Sequence, residues 1–147
     1  MSDKSDIIYA KLHESQERYT YYILGLTVVA IGFIIVNNQI IELNLLYLPL
    51  GISLLLLSIS FLFGLKHIEY KNSVLYANFE LLKVEAGEHE DLPMDIQYIK
   101  AASDGIRSAI RKNINRAQTF GKWQNIIMII GFLSYFVFII IKPLKNI

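Results

Sequence analysis

The chain reads as an all-α membrane protein: three transmembrane helices, with spans 2 and 3 extended into a cytoplasmic antiparallel helical hairpin. Two observations carry that reading. Residues 19–41, 43–65 and 123–141 contain no charged side chain. At about 1.5 Å rise per residue, each crosses a hydrocarbon core roughly 30 Å thick. Between the second and third stretches, residues 66–122 hold charged side chains and two apolar stripes at helical spacing. Only helices or closed barrels satisfy backbone groups in lipid, and continuous apolar runs of this length are helices.

Composition agrees. Of 147 residues, 54% are hydrophobic, and they sit in blocks with the charges between them. The formal net charge is +1, which gives no basic face for nucleic acid, so no nucleic-acid partner is expected. The absence of cysteine excludes disulfides, thiolate catalysis, iron–sulfur clusters and cysteine zinc sites.

Residues 1–18 carry Lys4, Lys11 and Arg18 against Asp3, Asp6, Glu14 and Glu17. The apolar run that follows is too long for the core of a signal peptide, so it is expected to be an uncleaved first span. Ile8, Leu12, Ser15 and Tyr19 share one helical face, and Glu14 and Arg18 are spaced for an i,i+4 pair. This predicts a cytoplasmic N-terminal helix over 1–18. The first span, 19–41, and the second, 43–65, form a hairpin with a short outer link around 37–44. Pro49 falls near the start of the second helix, where a missing N–H is tolerated.

Lysine and arginine counts set the orientation. The N-terminal segment has three, the outer link none, and residues 66–122 nine. The expectation is an inner, cytoplasmic-membrane protein, multi-pass, with the N-terminus and residues 66–122 inside. The tail, 142–147, lies outside, although Lys142 and Lys145 fit that side poorly. Tyr19, Tyr21, Tyr22 and Trp123 stand where aromatic rings anchor spans at the inner interface.

In the middle segment, Ile68, Leu75, Phe79, Leu82 and Ala86 form one stripe, interrupted by Asn72. A turn at 87–93, with Gly87, an acid cluster and Pro93, breaks the helix. A second stripe then runs through Ile96, Ile99, Ser103, Ile106, Ile110, Asn113 and Ala117 into the third span, 123–141. The two arms, of about 20 and about 28 residues, predict a stalk of roughly 30–40 Å. Asn72, Ser103 and Asn113 either fix register, as buried polar residues do in coiled coils, or face solvent because the stripe is displaced by one position. Gly105 weakens the second arm by about 1 kcal/mol relative to alanine.

The candidate sites follow. For helix packing in the spans they are the small residues Gly25, Gly32, Ser53, Ser60, Gly64 and Gly131. For a stalk interface they are Ile68, Leu75, Phe79, Leu82, Ile96, Ile99, Ile106 and Ile110. For contact with anionic lipid they are Arg107, Arg111, Lys112, Arg116 and Lys122. Topology determination alone also explains the same basic residues and is the favoured reading, and the two are compatible. His13 and Glu17 are four apart, but two ligands make no metal site. The cluster Glu85, Glu88, His89, Glu90 and Asp91 lacks the ligand alternation of a calcium loop and reads as a solvated tip. The spans carry no ionisable side chain, unlike proton relays and ion-coupled transporters. No nucleophile–base–orienter set is visible. No catalytic residue, cofactor or metal is therefore predicted.

Three stretches carry a resemblance: His13-Glu14-Ser15-Gln16-Glu17-Arg18-Tyr19, Leu75-Tyr76-Ala77-Asn78-Phe79-Glu80-Leu81-Leu82-Lys83 and Gly105-Ile106-Arg107-Ser108-Ala109-Ile110. With Trp123-Gln124 they resemble small, three-span bacterial inner-membrane proteins of unestablished activity. The resemblance implies topology and no chemistry. In outline, a short membrane hairpin with cytoplasmic helices is similar to small membrane effectors of bacterial antiphage systems. The function expected is a non-enzymatic helical interaction or assembly module working through the stalk. Its partners are the lipid bilayer and either further copies of the chain or another membrane or cytoplasmic protein. The runner-up is an oligomeric pore or membrane-disrupting effector in antiphage defence.

Overall fold

The computed structural model describes residues 2–38, 47–88 and 95–144. They form three long helices: α1 (Ser2–Asn37), α2 (Leu48–Ala86) and α3 (Ile96–Leu144). All three are long and apolar enough to cross a membrane, which is consistent with a multi-pass membrane protein. Residues 2–18 and residues 19–37 of the first apolar stretch lie on one unbroken helix. The link at 39–46, the acidic residues 89–91 with Pro93, the tail beyond 144 and the side chains of Ile8, Leu12 and His13 lie outside the described residues.

Each described terminus has a chemical cause. At the end of α1, the Asn37 and Asn38 amides donate to the Phe33 and Ile34 carbonyls at 2.9 and 3.0 Å. That satisfies acceptors near the end of the helix. α2 begins with Pro49 in its first turn. It ends where Gly87 adopts φ +71°, with Gly87 N–H on the Val84 carbonyl at 3.1 Å and Glu88 N–H on the Lys83 carbonyl at 2.9 Å. This is a Schellman arrangement, and it needs the left-handed backbone that glycine adopts without penalty. α3 starts at an Asp95 N-cap, whose carboxylate accepts from Gln97 N–H at 3.0 Å.

The chain divides into two compact units, Met1–Gly64 with Trp123–Ile147, and Leu65–Lys122. In the first unit, Ile34, Leu50, Leu57 and Phe138 form a buried cluster drawn from all three helices. Tyr47 and Tyr135 flank Phe138, with ring centroids 5.7 and 6.3 Å away. In the second unit, the inward residues of α2 follow a 3,4 spacing through His67, Tyr70, Val74, Ala77, Leu81 and Val84, the last fully buried. Those of α3 are Ile99, Ser103, Ile106, Ile110, Asn113 and Ala117.

Candidate functional site: the helix-packing faces

In the first unit, α2 and α3 are joined by side chains that donate to backbone. Ser53 Oγ donates to the Gly131 carbonyl, Ser60 Oγ to the Gln124 carbonyl and Ser134 Oγ to the Pro49 carbonyl, each at 2.8 Å. Ser53 and Ser60 are seven apart, as are Gln124 and Gly131, so one contact repeats after two turns of each helix. Small residues permit the approach. A Cβ on Gly64 would lie 2.5 Å from Gln124 Nε2 and from Leu24 Cδ2, and one on Gly131 3.1 Å from Leu57 Cγ. The structure therefore brings Ser53, Ser60, Gly64 and Gly131 together. Gly25 and Gly32 are exposed, and a Cβ on either would meet nothing within 4 Å.

Polar side chains recur through this interior. Thr27 is fully buried, and its hydroxyl donates to the Ile23 carbonyl at 2.8 Å and lies 3.7 Å from Met128 Sδ. Gln124 is 3% exposed and its Nε2 has no hydrogen-bond partner. Lys142 Nζ donates to Asn38 Oδ1 at 3.3 Å and lies 5.7 Å from the Phe138 ring centroid. That contact ties its charged head to the end of α1.

In the second unit, His67 Nδ1 donates to the Ala117 carbonyl at 2.6 Å. The carbonyl can only accept, which places the proton on Nδ1. Gly121 makes room for this ring, since a Cβ there would sit 3.0 Å from Nδ1. Tyr70 stacks on Phe120 at 5.5 Å, with the Arg116 guanidinium 5.5 Å from the Tyr70 ring centroid. Arg107 Nη2 donates to Glu85 Oε1 at 2.7 Å. Lys66 donates to Glu69 at 2.6 Å, and that bond holds its ammonium above the ordinary lysine range. Of the five basic residues singled out in the sequence, Arg107 and Arg116 thus have partners within the chain. All five, Arg111, Lys112 and Lys122 among them, are exposed.

The predicted stalk stripes divide. On α3, Ile99, Ser103, Ile106, Ile110, Asn113 and Ala117 all lie on the inward face, whereas Ile96 is exposed. On α2, Ile68 is half-buried and Leu75, Phe79 and Leu82 are 48%, 54% and 66% exposed. Asn72 and Ala86 are exposed with them. The inward face of α2 is that stripe displaced by two residues, through Tyr70, Val74, Ala77, Leu81 and Val84, which lies on the opposite side of the helix. The roles of His67, Gly121, Gln124 and Asp95 were not read from the sequence. Only Asp95, a capping residue type just before an apolar stripe, left a local signal. Among the described residues no three His, Asp or Glu side chains gather as a metal site. Comparison with known protein families, curated proteins and solved structures gives no match.

Proposed function

We propose that this protein is a non-enzymatic, multi-pass membrane protein whose residues 66–122 act as a helical assembly module on the cytoplasmic side of a bacterial inner membrane. In this reading the parts of α2 and α3 within that segment form an antiparallel hairpin. The order of their contacts supports this: Glu85 meets Arg107, while Tyr70 meets Phe120. The lysine and arginine distribution supports the orientation.

The observation that carries the function is the α2 stripe. Leu75, Phe79 and Leu82 are large, apolar and about half exposed or more, in a segment where charges are frequent. A contiguous apolar surface left outside lipid marks a protein contact. The runner-up, a pore, needs polar side chains to line water. Ser53 and Ser60 are fully buried and already donate to carbonyls within one chain, which favours the assembly reading.

The test is Phe79→Asp in the full chain extracted in mild detergent. The wild type is expected to elute as an oligomer or with a second protein, and the variant to elute alone at lower mass. Unchanged elution and unchanged co-purification would refute the module.

A further inference from the structure

We infer that the exposed α2 stripe is the contact with a second copy of this chain, paired in parallel and in register at Asn72. The inference deepens the assembly reading and rests on it. α2 carries two seams of coiled-coil spacing on different faces. The first, His67, Tyr70, Val74, Ala77, Leu81 and Val84, faces inward within its unit. The second, Ile68, Asn72, Leu75, Phe79, Leu82 and Ala86, alternates by four and three residues and is mostly exposed. In heptad terms Ile68, Leu75 and Leu82 take d, and Asn72, Phe79 and Ala86 take a.

Four observations select a second copy as occupant. First, an asparagine at one a position pairs with its own counterpart when identical helices run in parallel, and this sets register. An apolar partner would instead leave the Asn72 amide buried without a partner. Second, α2 is one uninterrupted helix from Leu48 to Ala86. Two copies inserted the same way in one bilayer therefore present this seam in parallel. Third, the flanking positions tolerate that pairing. Lys71 would face Tyr76 of the second copy, a cation–π pair, and Asn78 would face Lys83, so these positions bring no like charges together. Fourth, Leu75, Tyr76, Phe79 and Leu82 are 48–68% exposed, on the order of 100 Å² each, so a pair could cover at most about 800 Å² through these side chains, the size of a small interface.

The chain has no cysteine, so single-cysteine variants report without background. Leu75→Cys and Leu82→Cys, each in the full chain in proteoliposomes under mild oxidant, are expected to give a covalent dimer on a denaturing gel. Ser108→Cys, exposed on α3, serves as control and is expected to give about tenfold less. Adding Phe79→Asp to Leu75→Cys should abolish the dimer. Two results would overturn the proposal: Leu75→Cys no more dimeric than the control, or Leu82→Cys cross-linking only when mixed with Asn72→Cys, which is the antiparallel pattern. If cross-links fail while Phe79→Asp still strips an oligomer or a second protein, self-pairing is wrong and the assembly module stands. If neither responds, both readings fall.

Discussion

Gln124 tests how closely the span interior is balanced. Its carbonyl accepts from Ser60 while its side-chain amide, 3% exposed, has no partner. A buried, unpaired amide costs about 1–3 kcal/mol, and an apolar replacement of similar shape removes that cost. Gln124→Leu is therefore expected to raise the thermal unfolding midpoint in detergent, by a stabilisation of about 1 kcal/mol. A lowered midpoint would mean that the amide is satisfied. Ser60→Ala is expected to cost only about 0.5–1 kcal/mol, because hydrogen bonds between membrane helices are worth little more. At Gly64 the nearest atoms are ends of flexible side chains, so alanine displaces them cheaply. Gly64→Leu is expected to overpack the same space and cost about 1–3 kcal/mol, read by the same melt. Ser60 and Gly64 were legible from their spacing on one helix face. Gln124 was not: a polar residue at the edge of an apolar run carries no periodicity that reveals its depth.

At the level of whole helices, sequence pattern and structure agree closely on α3 and differ by two residues, the opposite face, on α2. The cause lies in the side chains. The outward seam of α2 carries Leu75, Phe79 and Leu82, whereas the inward one runs through His67, Tyr70, Val74, Ala77, Leu81 and Val84. His67 and Tyr70 are polar-tipped and Ala77 is small, so a search for the most apolar periodic stripe finds the outer face. On α3, which shows one stripe in this segment, no such competition exists. The existence of three apolar helices was legible because charge-free runs of that length admit few alternatives. Their ends depend on caps. Gly87→Ala forces an alanine into φ +71° and is expected to destabilise by about 1 kcal/mol. Asp95→Ala removes the carboxylate from Gln97 N–H, also at about 1 kcal/mol. Hydrogen exchange should show faster exchange near these caps in each variant, while amides mid-span in α2 and α3 stay protected. Loss of protection throughout would mean that the helix ends are not locally held.

For the molecule as a whole, three apolar helices bring a protein to a bilayer without defining a reaction. The surfaces left open therefore carry the functional argument. The exposed α2 seam and the exposed Gly25 and Gly32 of α1 are available for contacts between chains. Arg111, Lys112 and Lys122 remain open for anionic head groups, each contributing about 1 kcal/mol near a charged surface. The exposed Arg107–Glu85 pair contributes at most about 1 kcal/mol to folding. Arg107→Ala is accordingly expected to leave assembly intact, which cross-linking at Leu75→Cys would read. The most direct measurement is the native mass of the full chain released from nanodiscs, wild type beside Phe79→Asp. Assembly through the α2 seam predicts a wild-type particle of two or more chains, or one chain with a second protein, and a bare single chain for the variant. A bare single chain for both, or an oligomer indifferent to Phe79→Asp, would contradict it.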